Sequence, residues 1–260
     1  MRRILALVLA CALTAGLLAG CGAAQKGSTA KTIHRKEVSS AEVQFTAPAA
    51  DDPVAVILTS AGEIRAVLYP SLAPQACDNF TRLAGSGYYN GTTVSKVAFG
   101  SYVEAGYAAD GTASTVWNGS GFAPETTDKL HHYSGALCAP VSDTGECKSV
   151  FYVVETPQQA PDDTLLQQMT DAGWRDDVIS AYKAAGGLPY LDNTDTVFGQ
   201  VYSGMAVVDT IAQAEADENG TPAQAITILS VTITTYAQAD SAASAAASAA
   251  GSAGSASPAA

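Results

Sequence analysis

Residues 94–106, Val-Ser-Lys-Val-Ala-Phe-Gly-Ser-Tyr-Val-Glu-Ala-Gly, constrain the fold more than any other stretch of the chain. They read as a strand, a bend marked by Gly100, a second short strand and a glycine exit at Gly106. A lone cation, Lys96, sits among apolar neighbours, and an acid, Glu104, follows on the second strand. Other β-rich runs flank this pair. Residues 54–59 and 63–69 are joined by a Ser60-Ala61-Gly62 turn and form a hairpin, and 226–233 alternate as a closing strand. Between them Cys77, Phe80, Leu83 and Ala84 recur at helical spacing behind Pro74, which suits a first helical turn because its missing N–H costs nothing there. Gly85 and Gly87 end that helix.

The ends of the chain have a different character. Met1-Arg2-Arg3 is a positive start, followed by an apolar run from Ile4 to Leu18 that is too short for a convincing membrane span. The Leu18-Ala19-Gly20-Cys21 ending looks like a bacterial lipoprotein signal, so residues 1–21 are expected to be a signal peptide with lipid on Cys21. Acyl chains there would tether the protein to the cell membrane, outside the cytoplasm. Residues 22–52, rich in Ala, Ser, Thr, Lys and Gln, read as a flexible linker. Residues 239–260, almost wholly Ala, Ser and Gly, offer no amphipathic face and read as a disordered tail.

Residues 53–238 remain as one domain, long enough to bury a single sizeable core. The formal net charge of −12 and the lack of a basic stripe argue against nucleic acid as a partner.

Several blocks together are specific. The order strand, Thr-x-x-Gly, strand, Ala-Pro, Asn-Phe-x-x-Leu, Gly-Tyr-Tyr over residues 58–91 is similar to the N-terminal half of the cyclophilins. Residues 131–137 and 148–154 resemble two further strands of that family, and 190–201 with 204–211 resemble its Trp-Leu-Asp strand and the helix after it. The resemblance implies a mainly β fold, a closed eight-stranded antiparallel barrel capped by two helices. Residues 157–189 exceed the family's usual connection and read as a helical hairpin packed over the barrel rim.

The same resemblance implies a peptidyl-prolyl cis-trans isomerase acting on proline-containing polypeptides as a monomer. The barrier is about 18–20 kcal/mol because resonance stiffens the peptide bond. Lowering it takes an apolar pocket for the ring and a donor near the imide nitrogen, with no metal or cofactor. Lys96 stands where the family has its catalytic arginine, Ser101 where it has phenylalanine, Glu104 where it has glutamine and Asp195 where it has histidine. Ala139, Pro140, Val150, Phe151, Tyr152, Tyr190 and Leu191 fall on other binding positions. Lysine keeps the charge but lacks the planar fork, and an apolar strand could lower its pKa. Glu104 could pair with Lys96, as a structural or as a functional ion pair. A non-catalytic peptide-binding module and a surface scaffold stay open as alternatives.

Cys138 and Cys147 flank a short loop between neighbouring strands, and an oxidising compartment would favour a bridge between them. Cys77 then remains a buried thiol. A zinc site from His131, His132 and the two cysteines matches no standard spacing.

Overall fold

The computed structural model describes residues 31–158 and 160–253. The expected signal peptide, Cys21 and the last residues of the tail lie outside them. The hairpin β1 (Pro53–Thr59) and β2 (Gly62–Leu68) leads into α1 (Pro74–Gly85), then β3 (Val94–Ala98) and β4 (Tyr102–Ala105). After a long loop come β5 (Ala136–Ala139) and β6 (Phe151–Val154), the insertion helices α2 (Asp163–Asp171) and α3 (Asp176–Ala185), β7 (Thr196–Ser203), α4 (Met205–Ala212), β8 (Ile228–Thr235) and α5 (Tyr236–Ala253).

The eight strands form one antiparallel sheet in the order β3-β4-β6-β5-β7-β2-β1-β8. It does not close. The expected barrel is instead an open, strongly curled half-barrel that travels 223° round its axis and leaves its edges 7 Å apart. Paired strands lie about 4.8 Å apart, so that gap is too wide for a continuous ladder. The edge of β3 is taken up by the loop before β8 rather than by β8 itself. Val94 N donates to Ile226 O at 2.9 Å and Val97 N to Gly220 O at 2.8 Å, with a lone bridge from Thr93 to Thr227.

Curling divides the side chains into two populations. The concave face fills with Phe80, which lies 5.1 Å from Tyr89, 5.3 Å from Phe198 and 5.4 Å edge-on from Phe151 between ring centroids. Phe80 arrives on α1, whose buried Ala76, Cys77, Phe80, Leu83 and Ala84 make one apolar stripe. Ala73 cannot cap this helix, and the Glu125 carboxylate does so from a distant loop, accepting from Gln75 N and Ala76 N at 2.9 Å. On the other side α4 packs against β2, β3 and β4. The convex face carries a separate cluster of Val67, Ala136, Cys138, Tyr152, Val154 and Val197.

Two terminal segments depart from expectation. Residues 31–52 are laid down on the domain as a strap rather than left as a linker. Phe45 packs 4.9 Å from Tyr133, and Gln44 is buried, its Nε2 donating to His131 O and Gln200 Oε1 while its Oε1 accepts from His131 N. Polar side chains in an apparently structureless segment are here consumed by buried hydrogen bonds, which composition does not reveal. The tail begins as helix α5, whose Ala239 is buried and accepts from Arg65 through its carbonyl at 2.9 Å. The insertion is helical as expected and packs on the strap. Met169, Val178 and Tyr182 form a third cluster with Tyr133, against which Val38 and Phe45 rest.

Phe80 touches three aromatic rings at once, so Phe80→Ala is expected to lower unfolding free energy by about 3–5 kcal/mol in urea titration, the range for emptying a buried aromatic site.

Candidate active site

Cross-strand pairing assembles the site. Lys96 on β3 stands opposite Glu104 on β4, Glu104 opposite Tyr152 on β6, Tyr152 opposite Cys138 on β5, and Cys138 opposite Val197 on β7. Directly opposed residues share a face, so one convex row carries the cation, the acid and the aromatic floor. The single register shift in β3 falls just before Lys96.

Tyr152 is the floor and it is covered, with 3% of its surface exposed. The Tyr102 ring lies over it at 5.4 Å. The Tyr152 hydroxyl donates to Asp195 Oδ2 at 2.7 Å, and Val141 N donates to Asp195 Oδ1 at 3.1 Å. Asp195 therefore ties the floor to the loop after β5. Burial, with Cys138 and Asp195 nearby, pushes the Tyr152 phenol well above its ordinary pKa, so it stays a neutral donor.

Lys96 is a free cation beside this floor. Its Nζ sits 5.7 Å from the Tyr102 ring centroid, within cation–π range. The ion pair considered with Glu104 does not form. The Glu104 carboxylate accepts from Ser95 Oγ at 2.9 Å, and Lys96 has no carboxylate within ion-pair distance among the described residues. The Tyr102 side chain, with Glu104 and Tyr107 adding negative potential, holds the ammonium above its ordinary 10.5. The depression expected from an apolar strand is thus reversed, because Tyr102 gives the ammonium a hydrogen-bond partner that outweighs the small cost of burial.

The remaining residues divide by face. Pro140, Val150 and Glu104 line a cleft of about 460 Å³ together with Tyr107, Val141 and Lys148. Leu191 packs half-buried against the convex cluster, whereas Tyr190 is 64% exposed. Ser101 lies in the turn between β3 and β4, where its carbonyl accepts from Glu155 N at 2.7 Å. Ala139 and Phe151 do not face the groove; both sit in the concave core, one pleat away from Cys138 and Tyr152.

The two clusters also separate the cysteines. Cys138 belongs to the convex cluster and Cys147 to the concave one, and both are free thiols, as is Cys77. Cys147 Sγ lies 3.8 Å from Thr196 Oγ1 instead. Burial raises the thiol of Cys147 to about 11 and that of Cys77 to about 12, which leaves them protonated and inert. His131 and His132 are also engaged. Each places Nδ1 2.6 Å from a different oxygen of Asp192, which accepts from Tyr182 Oη as well. Although burial works the other way, these histidines hold the Asp192 carboxyl below its ordinary range. The cluster pins the turn bearing Tyr190 and Leu191. Sequence reasoning assigned no role to Tyr102, to Asp192 or to the strap; Tyr102's place on the same strand face as Glu104 was the available signal.

Comparison with known proteins agrees with this architecture. Residues 54–233 match the family described as cyclophilin type peptidyl-prolyl cis-trans isomerase/CLD. A Staphylococcus saprophyticus protein, named provisionally as a peptidyl-prolyl cis-trans isomerase, is 31% identical over 179 residues, covering 68% of this chain and 90% of its own. A Staphylococcus aureus counterpart with the same provisional name is 31% identical over 182 residues with the same coverage. A Cryptosporidium parvum cyclophilin type peptidyl-prolyl cis-trans isomerase, crystallised in the presence of the dipeptide Ala-Pro, superposes with a TM-score of 0.55. It is 21% identical and covers 70% of this chain and 99% of its own. The chain belongs to the cyclophilin-type peptidyl-prolyl cis-trans isomerase family.

Two outcomes follow from the geometry. Asp195→Ala strands the Tyr152 hydroxyl and Val141 N–H, and is expected to cost about 1–3 kcal/mol in a denaturant titration. A thiol reagent should leave Cys77, Cys138 and Cys147 unmodified in the folded protein and modify all three on unfolding without reductant; two missing thiols would reinstate the bridge.

Proposed function

We propose that this protein is a working peptidyl-prolyl cis-trans isomerase, slower than relatives with arginine at the donor position, acting on exported proteins from a lipid anchor at Cys21. The observation that carries the reading is the convex row: a cation free of carboxylate partners beside an aromatic floor, on a family scaffold matched over residues 54–233. Proline as the recognised residue is supported by the family and by the Ala-Pro used with the Cryptosporidium parvum protein. The anchor rests on the sequence of residues 1–21.

The chemistry asks little of the chain. As the X–Pro bond twists, the imide nitrogen loses resonance and becomes a hydrogen-bond acceptor. A donor aimed at it then stabilises the twisted state more than either planar one. Lys96 can be that donor, since its raised pKa keeps three N–H groups available throughout the neutral range. It offers a mobile point charge rather than a fixed fork, so less of its binding is reserved for the twisted geometry. Tyr102 must give way before a proline ring reaches Tyr152, and this adds a conformational cost to binding.

The covered floor also favours a second reading, in which the groove binds extended segments without useful catalysis. A prolyl isomerisation assay separates the two. The enzyme reading expects a rate clearly above background, abolished in Lys96→Ala and raised in Lys96→Arg. The rate should stay flat from pH 6 to about 10 and fall only as Lys96 deprotonates above its ordinary range. An unchanged rate in Lys96→Ala removes Lys96 from the chemistry. Background rates with proline peptides still perturbing Tyr152 and Leu191 in a titration would establish the binding module.

A further inference from the structure

We propose that the strap belongs to the active site's supporting structure, with Arg35 and Glu155 as positioning residues that fix the turn between β3 and β4. The proposal rests on the isomerase reading for its kinetic consequence, though not for its geometry.

Glu155 is fully buried at the end of β6, and it holds that turn twice. Its main-chain N–H donates to Ser101 O at 2.7 Å, and its Oε2 accepts from Gly100 N at 2.7 Å. Gly100 has φ +79°, a backbone conformation that other residues rarely adopt, and it is the pivot between the strand carrying Lys96 and the strand carrying Tyr102 and Glu104. A shift at this pivot moves the cation relative to the floor.

Burying that charge requires a cation as well as the Gly100 N–H, and among the described residues the cation paired with Glu155 is Arg35 of the strap. The domain's own ionisable group acting on Glu155 is another acid, Asp209 of α4, which is 4% exposed. Arg35 of the strap resolves the conflict. Its Nη1 donates to Asp209 Oδ2, and its Nη2 lies 3.3 Å from Glu155 Oε1 and 3.4 Å from Thr156 O. Both flanks of Arg35 are tied down by paired amide contacts. Gln213 bonds the N–H and carbonyl of Lys31, and Gln158 bonds those of Lys36. Burial, with Asp209 adding to it, raises the Glu155 carboxyl even with the guanidinium present. Without Arg35 two buried acids would face each other unneutralised, and removing one partner of such a group is far more disruptive than exchanging both for neutral ones. A fragment cut at residue 52 would lack the strap altogether.

The test compares four versions of the full chain by isomerisation kinetics, thermal unfolding and the NMR shift of the Gly100 amide, all read below the unfolding transition. Arg35→Ala is expected to displace the Gly100 amide and lower kcat/KM by about tenfold, mostly through kcat. Arg35→Ala combined with Glu155→Gln should regain most of the loss, because a neutral amide oxygen still accepts from Gly100 N and needs no cation. Arg35→Lys, which keeps the charge without the two-pronged reach, should fall between, and it replaces Arg35→Ala if that variant does not fold. A lowered Tm with an unmoved Gly100 amide and normal kcat/KM would overturn the proposal, leaving the strap a merely structural clasp. Absence of isomerisation in the unsubstituted chain would sink the enzyme reading alone. The Gly100 amide would then decide the coupling, displacement upholding it and constancy overturning it.

Discussion

Alternation across the pleat is the constraint on which this molecule depends. A sheet curled as strongly as this one must pack its concave face with side chains from every second residue, and here Phe80 and its three aromatic neighbours fill that space. Whatever remains is pushed to the convex face, and that remainder is the site: Lys96, Glu104, Tyr152 and Cys138 in one row. Cys138 packs in the convex cluster while Cys147, in the loop before β6, packs in the concave one, and both stay free thiols. A slip of one residue in β6 would exchange Phe151 for Tyr152 and destroy core and groove together.

The convex row also shows how substituted residues rebalance one another. Tyr152 brings a hydroxyl to an otherwise apolar floor, and a buried hydroxyl needs a partner. Asp195 supplies it and is itself satisfied by Val141 N–H, so the two changes form one unit. Glu104 is likewise occupied by Ser95, which leaves Lys96 free for Tyr102 and solvent. A carboxylate beside the cation therefore does not quench it; hydrogen bonding directs that carboxylate elsewhere.

What could be read from the sequence followed from local pattern. The stripe 77-80-83-84 gave α1, the β-rich run 54–59 with the alternation of 63–69 gave the first hairpin, and the spacing of 165–182 gave two insertion helices, because each signal repeats within one element. Closure of the sheet was not legible. It depends on where the loop at Gly220 and Ile226 meets β3, a contact between segments distant in sequence. Nor was the strap legible, since Arg35, Glu42 and Gln44 read as linker polarity until Glu155, Arg175 and His131 are seen to bind them. Polar residues declare their partners only in three dimensions.

The strap also changes what an anchor at Cys21 would mean. A linker of residues 22–52 could extend to about 105 Å at 3.3–3.6 Å per residue, letting the domain range widely above a membrane. With residues from Lys31 onward bound to the domain, nine residues separate Cys21 from the docked chain, and the reach falls to about 35 Å. A tethered isomerase would then meet its chains close to the surface from which they emerge. Tension on that short tether would act first on Lys31 and Lys36, which flank the arginine buried against Glu155. Strap and turn form one mechanical line from the first docked residues to the pivot at Gly100.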